Sequence, residues 1–171
     1  DPRRPGAEVG YYPGEANVRM ADVIVLNKVD SASPSAVQAV RKNVEQLNSQ
    51  AIVVETTSSV LVDKPSLVKD KRVLVVEDGP TVTHGDMAYG AGMVAARKLG
   101  AREVVDPRPF AVGSIKETYE KYRQLDLVLP AMGYGDRQIR ELEQTIAGVD
   151  CEVVVVATPI DIRRIIALGK P

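Results

Sequence analysis

The stretch Val73-Leu-Val-Val-Glu-Asp-Gly-Pro-Thr-Val-Thr-His-Gly-Asp86 reads as a strand that runs through a polar loop into a helix. Val73 to Val76 are apolar β-formers without interruption, the pattern of a strand buried on both faces, as central parallel strands are. The loop after them is too polar for a connection alone. Asp78 offers a carboxylate able to hold a metal or orient a donor, and Gly79 and Gly85 let the backbone approach a ligand. Thr81, Thr83 and His84 add side-chain donors, and a helix predicted from about Met87 to Leu99 adds its free N–H groups and positive dipole end. Together these outline an anion pocket. The alternative is an ordinary strand–helix turn with Thr83 or Asp86 as N-cap. The helix carries Gly90 and Gly92 in its interior, each costing about 1 kcal/mol relative to Ala, so close packing on the sheet is expected in return.

Outward from this unit, strand and helix alternate. A short strand around Glu103 to Val105 ends in Asp106-Pro-Arg-Pro-Phe110, and Ser114-Ile-Lys-Glu117 reads as a capping box opening the next helix. Leu125 to Leu129 is a predicted strand ending in Pro130-Ala-Met-Gly-Tyr-Gly135, followed by a helix from about Asp136 to Gly148. Glu152 to Val156 is another buried strand, and Thr158-Pro-Ile-Asp161 starts a predicted last helix ending near Gly169. Such alternation specifies an α/β class: a doubly wound, mostly parallel sheet in a Rossmann-like lobe. In that arrangement the loops after the strands open on one edge. Arg108 then suits bidentate phosphate binding, Gly113 and Ser114 offer N–H donors at a helix start, and Gly133 and Gly135 permit close backbone approach. Helix capping alone accounts equally for Ser114, and a simple turn for the two glycines. His84 is the lone histidine, a phosphate donor or proton shuttle on one reading and a structural hydrogen-bonding residue on the other.

The first third carries a different motif. Residues 1–20 hold prolines and glycines without periodicity and read as a loop. Ala21 to Leu26 is a short buried strand that runs into Asn27-Lys28-Val29-Asp30, the N-K-x-D pattern of guanine-nucleotide proteins. An Asp there can accept from the N1 and N2 hydrogens of guanine, the Lys stem can lie over the ring, and Asn ties neighbouring loops together. Ser33-Pro34 opens a helix with Val37, Val40, Val44 and Leu47 on one face, and the next strand, Ala51 to Val54, closes in Glu55-Thr-Thr-Ser-Ser59. Thr57 and Ser58 are therefore candidates for a second base contact; a plain surface turn is the alternative. No G-x-x-x-x-G-K-[ST] occurs, so residues 1–64 look like the back half of a P-loop NTPase-like lobe whose front half lies upstream. Position 1 is Asp rather than Met, in line with that expectation. The Rossmann-like lobe then covers 71–171, with residues 60–71 as a polar connector.

Composition bounds the partners. The chain has 171 residues, a net charge of −1 and 26% charged residues, giving no overall field for nucleic acid or an anionic membrane. No apolar run reaches the roughly 18 residues of a membrane span. One cysteine, Cys151, leaves no internal disulfide, and with no secretory leader visible a cytoplasmic location is expected. No Cys/His metal cluster or catalytic triad is visible, and a homodimer is one open possibility.

The runs VLVVEDGPTVTHGDMAYGAG, DPRPFAVGSI, VLPAMGYG and ATPIDIRR, with NVRMADVIVLNKVD, resemble the cyclic 2,3-diphosphoglycerate synthetase family and related P-loop GTPases. The resemblance implies the carboxyl-terminal part of a longer nucleotide-dependent ligase that closes an intramolecular phosphoanhydride in a phosphorylated small-molecule substrate. It implies ATP as the nucleotide, whereas Asn27 to Asp30 argue for GTP; either would come with Mg²⁺. Rival readings are a regulatory or metal-insertion GTPase and a noncatalytic nucleotide- or anion-binding fragment. No general base is identifiable, and catalysis by these residues alone is not expected without a Walker A loop.

Overall fold

A computed structural model describes residues 1–84 and 87–171 and is a mixed α/β protein built on parallel sheets. It divides into two compact units, Asp1–Ser59 and Val60–Pro171.

The first unit comprises α1 (Ala7–Gly10), α2 (Gly14–Met20), β1 (Val23–Asn27), α3 (Pro34–Leu47) and β2 (Ile52–Thr56). Residues 1–20, expected as loop, contain two helices. The Asn48 amide on the C-cap of α3 donates to the carbonyls of Val18 (2.9 Å) and Ala21 (2.8 Å), and Asn43 donates to Glu8 (2.6 Å). Such long-range contacts carry no local signature, which is why the segment has no periodicity. Ser33 caps α3 as its sequence predicts, accepting from the Ala36 N–H at 3.2 Å with Pro34 at the first helical position. Val40 and Val44 on α3 pack against Leu26 of β1. β1 and β2 pair in parallel, with Val23 opposite Ile52 and Asn27 opposite Thr56.

The second unit is organised by β3 (Arg72–Asp78), which is followed by α4 (Gly79–His84), α5 (Ala91–Lys98), β4 (Glu103–Val104), α6 (Gly113–Lys121), β5 (Leu129–Ala131), α7 (Asp136–Gly148) and β6 (Val153–Ala157). All pairings of β3 are parallel: with β4 at its amino end, β5 at its carboxyl end and β6 along Val73 to Glu77. Val73, Leu74, Val75 and Val76 are each fully buried. The two-residue period sends Leu74 and Val76 into a core with Ile115, Leu142 and Ile146, and Val73 and Val75 into a second core with Val82, Met93 and Ala96. Helices therefore cover both faces, as the doubly wound pattern requires.

Several local expectations are corrected. The helix predicted from about Met87 starts later, as α5 at Ala91 with Gly90 as its N-cap rather than in its interior, and the stretch expected as a polar loop contains a helix of its own, α4. The strand expected at Leu125 to Leu129 lies later, at Leu129–Ala131, and the last predicted helix is only a 3-10 turn, Ile162–Arg164, with Asp161 accepting from the Arg163 N–H at 3.1 Å. The Ser114–Glu117 capping box does not form: the N-cap of α6 is Val112, and Ser114 lies inside the first turn. Among the described residues no helix is long and apolar enough to cross a membrane.

Burial separates residues of the same type. Leu74→Ala in the whole chain is expected to cost about 2–5 kcal/mol, because it opens a cavity between fully packed layers. Leu61→Ala, at a side chain 91% exposed, is expected to stay within about 0.5 kcal/mol of the parent. Urea unfolding followed by circular dichroism checks both, and equal losses would contradict this core.

Candidate functional site

The carboxyl end of β3 places two acidic residues on opposite sides of the strand. Glu77 points inward and is 2% exposed. Its Oε1 accepts from the backbone N–H groups of Gly90 (3.0 Å) and Met93 (2.9 Å), at the amino end of α5. A Cβ at Gly90 would lie 2.6 Å from Glu77 Oε2, and one at Gly92 would meet Val75 at 2.9 Å and Ala157 at 3.0 Å. These two glycines thus let α5 close onto the strand and its carboxylate. Burial raises the Glu77 pKa, opposed by the N–H groups of Met93, Gly92 and Gly90 and reinforced by the charge of Asp78. The helix amino terminus that sequence reading offers to an external anion therefore holds an internal one.

Asp78 and the residues of α4 are arranged differently. Asp78 Oδ2 accepts from the hydroxyl of Thr81 (2.6 Å) and from its backbone N–H (3.3 Å). Thr83 is buried and donates to the Gly79 carbonyl at 2.8 Å, with His84 Nδ1 3.2 Å from its hydroxyl. Its donor is spent inside α4 rather than on the loop. His84 is exposed at the end of α4, and Gly79 abuts the Ala131 carbonyl. Gly85, a further candidate from the sequence, lies outside the described residues, as does Asp86.

Two more candidate anion positions have partners of their own. Asp106 accepts from Arg108 in bidentate fashion, with Nε at 2.8 Å and Nη2 at 2.8 Å, and the guanidinium holds the Asp106 carboxyl below its ordinary range. At α6, Gly113 sits at φ 51°, and its neighbour Ser114 donates its backbone N–H (2.9 Å) and its hydroxyl to Glu141. Arg137 binds the same carboxylate at 2.7 Å. These contacts, the Ser114 hydroxyl foremost, bring the Glu141 pKa down to about 2. A Cβ at Gly133 would run into the Gln138 amide, and Gly135 is the N-cap of α7.

Asp78 and Thr81 open instead onto a cleft of ≈ 760 Å³ within the second unit. Its polar lining also includes Asp63, Lys64, Asp161 and Arg163. Thr83, His84, Arg108, Gly113, Ser114, Gly133 and Gly135 are not part of that lining. By sequence, Asp161 reads as part of a helix start and Asp63 and Lys64 as part of a polar connector. The available signal was the Asp161-x-Arg163 spacing, which forms a bidentate pair at 2.7 and 2.8 Å. Among the described residues no group of three or more His, Cys, Asp or Glu side chains is placed to hold a metal ion.

In the first unit, the parallel register brings the two base-candidate loops together. Asn27 Oδ1 accepts from the Lys28 N–H (2.8 Å) and the Thr56 hydroxyl (3.0 Å), so it ties the loop after β1 to the end of β2. Lys28 adopts φ 66°, a left-handed conformation uncommon for a residue with a Cβ, and its ammonium pairs with Asp1 at 2.9 Å. Asp30 Oδ1 accepts from the Ser58 N–H at 3.3 Å, and Thr57 lies between these two contacts in the chain.

The two helix-capping carboxylates are expected to respond oppositely to pH. Folding raises the Glu77 pKa, so its contribution is full below the unfolded carboxylate value and is lost as pH rises through the folded one. In Glu77→Gln that decline with pH disappears. Glu77→Ala orphans the Gly90 and Met93 N–H groups and is expected to cost about 1–3 kcal/mol for each. Folding lowers the Glu141 pKa, so its contribution is present above the unfolded value and is lost as pH falls toward about 2. Glu141→Gln is accordingly less stable than the parent at neutral pH and converges with it in acid. Urea midpoints measured across pH distinguish the two; the same pH trend for both substitutions would contradict the assigned environments.

No protein-family model matches the chain. All 171 residues align at 60% identity with the arginine synthetase ArcE of Thermococcus kodakarensis, and the chain spans 38% of the length of that relative.

Proposed function

We propose that the chain is part of a nucleotide-dependent ligase that makes arginine. The observation that carries this reading is the 60% identity sustained over every residue with a relative named arginine synthetase. A synthetase that closes a carbon–nitrogen bond needs its departing oxygen turned into a leaving group, and phosphoryl transfer from a nucleotide does that. In the first unit, the loops Asn27–Asp30 and Thr56–Ser58 hold the nucleotide base. Asn27 fixes the loop, and Asp30 accepts from the exocyclic amine of either ATP or GTP and, in GTP, from the ring N1–H as well. Mg²⁺ accompanies the nucleotide phosphates in such chemistry. Among the described residues no group of three or more His, Cys, Asp or Glu side chains is placed to hold a metal ion, so the nucleotide phosphates would supply much of its coordination.

In the second unit, the cleft beside Asp78 takes the amino acid. Arginine carries two positive groups and one negative group, and the cleft presents Asp63 and Asp78 alongside Lys64, while Asp161 and Arg163 in its lining pair with each other and Lys170 donates to backbone carbonyls. A carboxylate binds a guanidinium through paired, charge-assisted hydrogen bonds, and Asp78, steadied by Thr81, is the group assigned to it. The second reading is cyclic 2,3-diphosphoglycerate synthesis, which rests on the motif resemblance. Its substrate would need free cations and N–H donors, yet the amino ends of α5 and α6 are occupied by Glu77 and Glu141, and Arg108 by Asp106. Charge complementarity favours arginine.

The test uses a chimera in which these 171 residues replace the matched 38% of the Thermococcus protein. Nucleotide-dependent formation of arginine is expected in the chimera, with Asp78→Asn weakening product inhibition by arginine at least tenfold and Asp30→Ala raising the KM for nucleotide alone. Cyclisation of 2,3-diphosphoglycerate without any formation of arginine would overturn the reading in favour of the second.

A further inference from the structure

The first unit carries an apolar surface that its nucleotide loops do not use. On one face of the β1–β2 pair, Val23 stands opposite Ile52 and Val25 opposite Val54. These four side chains are 53%, 65%, 55% and 41% exposed, respectively. The other face is covered, since Leu26 is buried against Val40 and Val44 of α3, with Ile24 and Val53 packed beside them. Parallel strands occur almost only where both faces are covered, and a two-stranded ribbon is marginal by itself. β1 and β2 are also paired only with each other among the described residues.

We propose that this face is a docking surface for an amphipathic, apolar-faced helix from polypeptide outside these 171 residues, within the same molecule. Two observations select that occupant. The relative that aligns with the whole chain has more than half of its length outside the aligned part, since the chain spans 38% of it. The exposed side chains are β-branched and uncharged, a surface that accepts the apolar stripe of a helix, as the opposite face accepts Val40 and Val44 of α3. The same alternation places Asn27 and Thr56 at the carboxyl end of this face, directly after Val25 and Val54 in register. A helix seated there meets the base-candidate loops, so covering the sheet and completing the nucleotide site are one event; this last clause rests on the function proposed above, while the docking itself does not.

Thiol accessibility tests the proposal. Val25→Cys is made on a Cys151→Ser background and compared with Glu45→Cys on the exposed side of α3. In the 171-residue chain, a neutral maleimide is expected to alkylate both introduced thiols within about threefold of one another at every protein concentration. In the chimera, the thiol of Val25→Cys is expected to react at least tenfold more slowly, with that of Glu45→Cys unchanged. Equal rates in the chimera would overturn the proposal. So would protection within the 171-residue chain: if it grows with concentration the occupant is a second copy, and if it does not the cover is internal. Ile52→Lys supplies an independent reading, expected to leave the Tm of the 171-residue chain within a degree or two and to lower that of the chimera by several degrees. Unchanged Tm in both would count against a covered face. Neither measurement requires nucleotide or arginine, so its outcome is separable from that of the ligase assay.

Discussion

The buried carboxylate of Glu77 beneath the amino end of α5 is the constraint on which the second unit turns. Its strand position is opposite Pro130 of β5 and Ala157 of β6, so the side chain leaves the sheet where β3 has neighbours at both. A carboxyl group taken this far from water is costly unless its oxygens are satisfied, and the Gly90 and Met93 N–H groups satisfy one of them. In turn, those N–H groups are among the ones a helix start leaves without intrahelical partners. Each side of the contact removes the other's deficit. Gly90 and Gly92 follow from it, because side chains there would collide with the carboxylate, Val75 or Ala157. The small residues that look extravagant in a helix are the condition for its docking.

The same solution recurs at α6, where Glu141 receives the Ser114 donors, and in electrostatic form at Arg108, which Asp106 occupies. Three positions that resemble anion sites in sequence therefore carry internal carboxylates in the fold. What remains open to solvent at the end of β3 is Asp78 with Thr81, and its surroundings in the cleft mix acids and bases. A site of that character suits a zwitterionic or cationic small molecule better than a polyphosphorylated one. Adjacent residues of one strand thus divide between two environments: Glu77 builds the frame, and Asp78 faces outward from it.

The α/β class was legible because hydrophobic runs such as Val73 to Val76 and Val153 to Val156 have a length and composition that few other environments favour. Ser33-Pro34 announced α3 through a local contact, and local contacts are what a sequence spells out. The helices in residues 1–20 were not legible, because Asn43 and Asn48 hold them from far along the chain. Nor was the partner of the α5 amino terminus. Glu77 stood within the quoted stretch, but only the fold shows that its side chain turns inward while that of Asp78 turns outward. Reading donors such as Thr83 as ligand contacts overlooked that a threonine inside a helical turn can satisfy itself on the carbonyl four residues back. Asp63 and Asp161 were invisible as partners for a subtler reason: separated in sequence by nearly a hundred positions, they share a cleft only through folding.

The first unit shows how one pairing register can serve two ends. Placing Asn27 opposite Thr56 allows the Asn27 carbonyl oxygen to tie both loops, and it also holds Lys28 in a backbone conformation that its side chain disfavours. A shift by one residue would send Asn27 to the opposite face and break that tie. It would equally carry Val23 and Val25 toward α3 and bring Leu26 out of its packing with Val40 and Val44. The register is therefore specified from the covered face by α3 and read out at the loops. The opposite apolar face takes no part in that packing, so covering it adds to the stability of the pair without competing with α3.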